Sequence, residues 1–185
     1  MNRINFYYER IRDWLYTIHD DYSLPWIKRR NRPYTSYLKL GDQVFDLIRV
    51  HTKNQFLEPI NILDIGCGDG RVSNSFRKQN PNLNYVGIDI IKTWIDSLNA
   101  RYKNKTKFKF IHSDIYNKMY NKSGKVNAEK YIFPFDENKF DLIILNSVFT
   151  HMQPEEIEHY LSEISRILKK DGKVWCTFMI LTDNH

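Results

Sequence analysis

"ILDIGCGDGR", residues 62–71, places three of the chain's seven glycines within five positions. An apolar run that ends in spaced glycines reads as a buried strand turning sharply into a helix. Such a turn needs residues that tolerate positive φ or lack a Cβ. Three spaced glycines exceed what a tight turn alone requires, so a ligand close to the backbone is expected. A glycine-rich turn of this kind also presents N–H groups to polar ligand atoms.

Around this stretch strands and helices alternate. "INILDIG" (60–66) is the first strand, and residues 71–79 suit a helix that ends before Pro81. "NYVGIDI" (84–90) is a second strand, and "IKTWIDSLNARY" (91–102) is a helix with Trp94, Ile95 and Leu98 turned inward. "KFKFIHSD" (107–114) alternates and is a third strand. "KFDLIILNS" (139–147) is a fourth, and its unbroken apolar centre implies burial on both faces. The Asn/Lys-rich residues 116–130 read as a loop. In "PEEIEHYLSEISRILKKDG" (154–172), Ile157, Tyr160, Leu161, Ile164, Ile167 and Leu168 make one helical stripe. Pro154, Glu155 and Glu156 mark its start, and Lys169, Lys170 and Gly172 its end. "KVWCTFMIL" (173–181) is a fifth strand. This alternation predicts an α/β protein on a doubly wound, Rossmann-like parallel sheet.

The N-terminal part differs in character. Ile4, Tyr8, Ile11, Leu15 and Ile18 recur at helical spacing, so residues 3–19 are expected to form an amphipathic helix. Pro25 and Pro33 then interrupt the chain. A second helix is expected from about Tyr37 to His51, with Leu40, Val44, Leu47 and Ile48 on one face. Nine aromatic residues fall within the first 37 positions. They serve either simple helix packing or a lid that lines a pocket for an organic substrate. The expected division is a helical cap over residues 1–55 and a ligand-binding core over 56–185.

Composition narrows the class. The chain has 185 residues and is 42% hydrophobic, enough for one soluble domain with a core. It contains no apolar stretch of membrane-spanning length, and its charged N-terminus has no apolar core of a secretory signal. A cytoplasmic protein is expected. Cys67 and Cys176 form no metal-binding spacing and read as free thiols, so no metal is expected. The net charge is +6, but the lysines are dispersed. The single dense cluster, "KRRNR" (28–32), reads as a solvated basic turn rather than a nucleic-acid site.

In a doubly wound sheet, ligands bind beyond the carboxyl ends of the strands. Those ends carry Asp64 with Gly66, Gly68 and Gly70, then Asp89, then Asp114, then Asn146 and Ser147. Asp89 lies about twenty residues past the glycines, where an acid accepts both hydroxyls of a ribose. The glycines are spaced GxGxG, with Arg71 where the dinucleotide motif GxGxxG has its third glycine, and Asp69 inside the loop opposes a pyrophosphate. An adenosyl ligand that is cationic and lacks phosphate is favoured over a nicotinamide dinucleotide.

"LDIGCGDGR", followed by "GIDI", "HSDI" and "FDLIILNSVFTHM", resembles the class I S-adenosylmethionine-dependent methyltransferases. The likeness runs from about Ile60 to Leu181 with the motifs in the family's order, and it is similar to a bacterial subgroup of small methyltransferases. The resemblance implies S-adenosyl-L-methionine as cofactor. It implies that the loop from Asp64 through Gly66, Cys67 and Gly68 to Gly70 surrounds the methionine part, with Asp64 reaching its ammonium through water. It further implies that Asp89 holds the ribose hydroxyls, Ile90 packs on adenine, Asp114 accepts from the adenine amino group beside Ile115, and Asn146 lies near the methyl group.

An oxygen or nitrogen acceptor calls for a base, and His151 in "FTHM" is the candidate. The competing reading is an imidazole that caps the helix beginning at Pro154. No NPPY-type element follows the fourth strand, where Ser147, Val148 and Phe149 stand, which argues against methylation of nucleic-acid bases or glutamine amides. The family's sheet has seven strands, so a chain ending after the fifth is expected to expose that strand's edge unless a second copy or another chain covers it. The expected function is methyl transfer to an oxygen or nitrogen of a small molecule or glycan precursor. The alternatives are a truncated or non-catalytic cofactor-binding protein that needs a partner, an RNA or protein methyltransferase, and an NAD(P) oxidoreductase.

Overall fold

The computed structural model describes residues 34–52, 60–80 and 83–178. The expected helix over residues 3–19, the basic turn and most of the N-terminal aromatics lie outside the described residues. The first described helix, α1 (Tyr34–His51), starts three residues before the expected position. It buries Leu38, Val44, Phe45 and Ile48, while Leu47, expected on that face, is 51% exposed. Leu47 lies beside the stripe, which follows residues 38, 41, 45 and 48 along the axis.

Five strands form one sheet: β1 (Asn61–Ile65), β2 (Asn84–Asp89), β3 (Phe108–His112), β4 (Phe140–Leu145) and β5 (Leu168–Cys176). Their spatial order is β3-β2-β1-β4-β5, and every pairing is parallel. The connecting helices are α2 (Arg71–Gln79), α3 (Lys92–Arg101) and α4 (Pro154–Ile167). Strand order switches direction at β1, whose neighbours are β2 and β4, so the crevice beyond Ile65, Asp89 and Leu145 is where a ligand is expected.

Side chains alternate across the sheet and fill two cores. On one face Ile62, Tyr85, Phe108, Phe110, Leu142 and Ile144 pack with Phe45, Phe76 and Leu98 from α1, α2 and α3. On the other, Leu63, Ile65, Ile88, Ile143 and Leu145 pack with Tyr160, Ile164 and Ile167 of α4 and with Phe133 and Phe140. Burying each such side chain contributes about 1.5–3 kcal/mol. The Phe45 and Phe76 rings meet edge to face at 4.9 Å, and Asp42 accepts a 2.7 Å hydrogen bond from Ser75, which fixes α1 on α2.

The C-terminal end of α4 departs from the sequence reading. The helix stops at Ile167, and Leu168 already pairs with Phe140 in the sheet. The amides of Asn138 and Lys139 donate to the Arg166 and Ile167 carbonyls, and Lys169 reaches Asp141 of β4 at 2.8 Å. These contacts supply the capping expected of Gly172, and residues 169–172 form an irregularity in β5 before Lys173 resumes pairing with Leu142. Among the described residues β5 is a sheet edge, as is β3. No helix among the described residues is long and apolar enough to cross a membrane.

Candidate active site

The turn between β1 and α2 is built on three left-handed glycines, Gly66, Gly68 and Gly70, with φ of 72°, 60° and 89°. A Cβ at Gly66 would come within 2.6 Å of Val148 Cγ2, whereas one at Gly68 would meet only Trp94, at 3.9 Å. Gly66 therefore makes room for the segment after β4, and Gly68 leaves open space. The loop amides do not behave as the sequence suggested. Gly66 and Cys67 both donate to the Ile88 carbonyl, at 2.8 and 3.0 Å. The Gly68 N–H donates to Asp89 Oδ2 at 2.8 Å, and the Gly70 N–H donates to the Cys67 carbonyl at 3.2 Å. Three of these donors serve the end of β2 and the fourth serves the loop itself, rather than a ligand.

Asp64 is 1% exposed and accepts a hydrogen bond from the Tyr85 hydroxyl. Burial pushes its carboxyl up to about 7 from 3.8; nearby Asp89 adds to the rise, while the Tyr85 hydroxyl and Arg71 oppose it. Cys67 is buried against Gly87 and Phe110, and burial pushes its thiol up as well, so it is a packing residue and not a nucleophile. Gly70 starts α2 and accepts from Ser73 Oγ at 2.9 Å. These three residues lie beneath or behind the loop.

In front of the loop is a cavity of about 500 Å³. Of the residues singled out from sequence, Gly66, Gly68, Asp89, Ile90, Ile115, Asn146 and His151 line it, while Asp64, Cys67, Gly70 and Asp114 do not. Asp89 is 7% exposed, and its two oxygens accept from the Gly68 and Ile91 amides at 2.8 Å each. Burial raises its carboxyl, and these amides pull the other way. The outcome is a carboxylate fixed in place on the cavity wall. Asp114 turns instead toward Lys125 at 3.7 Å, and its neighbour Ser113 occupies the wall.

The segment after β4 closes a second side. Ser147 has φ of 60°, unusual for a residue with a side chain, and its N–H donates to Thr177 Oγ at 2.7 Å. His151 sits at the end of a short 3₁₀ turn, Phe149–His151, with Nε2 3.5 Å from the Tyr120 hydroxyl and the two rings edge to face. It does not cap α4. Gln153 and Glu156 do so, the Gln153 N–H donating to Glu156 Oε2 at 2.8 Å.

Several lining residues carried no signal in the sequence. Tyr116, Asn117 and Tyr120 come from the loop after β3, which is folded rather than open. Asn117 and Asn121 exchange backbone hydrogen bonds, and the Asn117 side chain accepts from the Met119 and Tyr120 amides. Glu156 and Tyr160 line the cavity from α4, and Trp94 from α3. Trp94 was expected inside with Ile95 and Leu98; those two are buried, and Trp94, one residue round the helix, faces the cavity. Leu40 brings α1 to the same wall.

A family model described as a methyltransferase domain matches residues 63–176. The ubiquinone biosynthesis O-methyltransferase of Pelagibacter ubique is 28% identical over 138 residues, covering 74% of this chain and 48% of that protein. A tRNA N(3)-cytidine methyltransferase of Gallus gallus is 27% identical over 117 residues, covering 61% of this chain and 28% of that protein. The chain thus spans less than half the length of these curated relatives. In fold it is similar to the PH0226 protein of Pyrococcus horikoshii, at 22% identity and a TM-score of 0.57, over 80% of this chain and 58% of that one. With the parallel sheet, the glycine turn and Asp89 in place, the chain belongs to the class I S-adenosylmethionine-dependent methyltransferases.

Proposed function

We propose that this methyltransferase acts on an oxygen or nitrogen atom of a small molecule, a glycan precursor included. The observation that carries this reading is a single cavity of about 500 Å³, shared by the glycine loop, Asp89, the 116–120 loop and the start of α4. Its size is that of a site for a cofactor with a small organic partner.

The residues present fit S-adenosylmethionine. Gly68 leaves a cradle that a side chain would enter, Asp89 is a fixed buried acceptor, and the loop amides are committed within the protein, which suits a ligand without phosphate. When bound, the cofactor supplies a methyl group on a sulfonium that departs as a neutral thioether. In our assignment Asp89 accepts from the ribose hydroxyls, Ile90 and Ile115 pack on the adenine, and Gly66, Gly68 and Asn146 surround the amino-acid end. Ser113, standing on the wall in place of Asp114, meets the adenine edge. Asp64, Cys67 and Gly70 hold the loop from behind. His151, exposed at the cavity beside Tyr120, takes the acceptor's proton.

Calorimetry with S-adenosylhomocysteine tests the cofactor assignment. Asp89→Ala is expected to weaken binding by at least tenfold with the fold retained, and unchanged affinity removes its ribose role. His151→Ala is expected to lower kcat by about 10²–10⁴ without changing cofactor affinity. The charge of +6 and the tRNA-acting relative supply a second reading, an RNA acceptor. A gel shift with total tRNA that weakens steeply with salt would favour it over a small molecule.

A further inference from the structure

We propose that Glu156 and Tyr160, one turn apart on α4, form the acceptor-recognition pair of this cavity, and that the acceptor they select presents a cationic amine. The inference rests on the small-molecule methyltransferase reading above and names the acceptor's chemical class.

Tyr160 is 5% exposed, lines the cavity, and its hydroxyl has no hydrogen-bond partner among the described residues. Its ring is fixed edge to face on Phe133 at 5.1 Å. The hydroxyl opens on the cavity, so a ligand that covers it without pairing leaves it unmet at a cost of about 1–3 kcal/mol, and one that pairs with it avoids that cost. Glu156, half-buried on the same wall, commits Oε2 to the Gln153 N–H. Its other oxygen has no partner among the described residues. Among the described residues the cavity's guanidinium is Arg71, from the start of α2 beside the glycine loop, and no described lysine lines the cavity. Among the described lining residues the carboxylates Asp69, Asp89 and Glu156 outnumber the one guanidinium, which disfavours an anionic acceptor.

The surrounding groups favour a cation as well. Tyr116 and Tyr120 from the loop after β3 supply aromatic surface, as does the Tyr160 ring. A carboxylate among aromatic rings is the arrangement that holds an ammonium, by charge and by attraction to the ring faces. A neutral alcohol of the same shape would use Tyr160 but leave Glu156 desolvated without compensation.

The test is calorimetry on the protein saturated with S-adenosylhomocysteine, using three probes of one shape: phenethylamine, phenethyl alcohol and phenylacetate. The amine is expected to bind at least tenfold more tightly than the other two. Glu156→Gln, which keeps the acceptor that caps α4, is expected to abolish that preference. Tyr160→Phe is expected to weaken the amine about threefold to tenfold. Both variants should retain wild-type affinity for S-adenosylhomocysteine. Equal binding of the three probes, a preference for phenylacetate, or a preference that survives in Glu156→Gln overturns the proposal. Loss of S-adenosylhomocysteine binding in Glu156→Gln overturns it too, because the carboxylate would then serve the cofactor. Failure of the wild-type protein to bind S-adenosylhomocysteine would instead strike the underlying methyltransferase reading.

Discussion

Asp64 offers a test of the site that needs no substrate. The side chain is 1% exposed, and burial raises its carboxyl to about 7 against 3.8 for the free group. The folded protein thus holds a proton between pH 4 and 7 that the unfolded chain has released. Stability then falls as pH rises through this window, because the folded state binds more protons than the unfolded one. The full effect is about 4 kcal/mol, and between pH 5 and pH 8 this group alone removes about 2–3 kcal/mol. Asp64→Asn abolishes it, since the amide mimics the protonated acid and its carbonyl still accepts from the Tyr85 hydroxyl. Urea unfolding of both proteins at pH 5 and pH 8 gives a double difference in which the histidines and other carboxylates cancel. The wild type is expected to lose about 2–3 kcal/mol more than the variant over that interval. Parallel pH dependences would mean that Asp64 is ionised in the fold, and that Arg71 and Tyr85 outweigh its burial.

Other perturbations follow from the same geometry. Gly66→Ala and Gly68→Ala both place a Cβ in the left-handed region, at about 1–2 kcal/mol each, but only the first also drives that atom to 2.6 Å from the stiff Val148 side chain. Thermal melts should show Gly66→Ala as the less stable by several degrees, while Gly68→Ala folds and loses S-adenosylhomocysteine affinity in calorimetry. Asp141 accepts the Asn61 N–H at 2.8 Å and pairs with Lys169 at 2.8 Å, joining β1, β4 and the start of β5. Asp141→Ala should cost about 1–2 kcal/mol in urea unfolding, with Asp141→Asn recovering part of it. Arg166 donates to the Phe133 and Phe135 carbonyls and to Glu163, whose carboxyl its hydrogen bond holds below the usual range. Arg166→Ala should loosen residues 133–135, read as faster amide hydrogen exchange there with the sheet unchanged.

The elements nearest the glycines were legible because two signals coincide there. "ILDIGCGDGR" gives an apolar strand and then residues that only a left-handed turn uses so densely, and the observed β1 and α2 follow that reading closely. Strand ends pointed to Asp89 and Asn146 because a parallel sheet sends every strand's carboxyl end to one side, while Ile90 and Ile115 came only from the family resemblance. Periodicity says less about the ends of side chains. Tyr160 belongs to the apolar stripe of α4 and packs on Phe133, so its spacing reads as core, yet its hydroxyl reaches past the core to the cavity. Asp114 and Ser113 are adjacent, and a one-residue difference at the end of β3 exchanges which of them lines the cavity. The end of α4 was hidden for a related reason: Asn138 and Lys139, distant in sequence, cap it before Gly172 is reached.

The loop's hydrogen bonds change what its glycines are for. In a dinucleotide or nucleotide site, successive amides face an anion, and glycine serves to bring those amides close. Here the amides of Gly66, Cys67, Gly68 and Gly70 are satisfied by Ile88, Asp89 and Cys67. What the glycines contribute to the cavity is shape, an absent Cβ at Gly68 above all. The same bonds tie Asp89 to the loop, with Gly68 on one oxygen and Ile91 on the other, so the acceptor's position is set before any ligand arrives. An acceptor held in advance loses little ordering entropy on binding. A pyrophosphate would have to break these bonds to gain any of the four amides, and would face Asp69 and Asp89 while doing so. A cationic adenosyl ligand breaks none of them and meets charge of the opposite sign. Selection between the two ligand classes therefore resides in where four N–H groups point, which the spacing of the glycines alone does not determine.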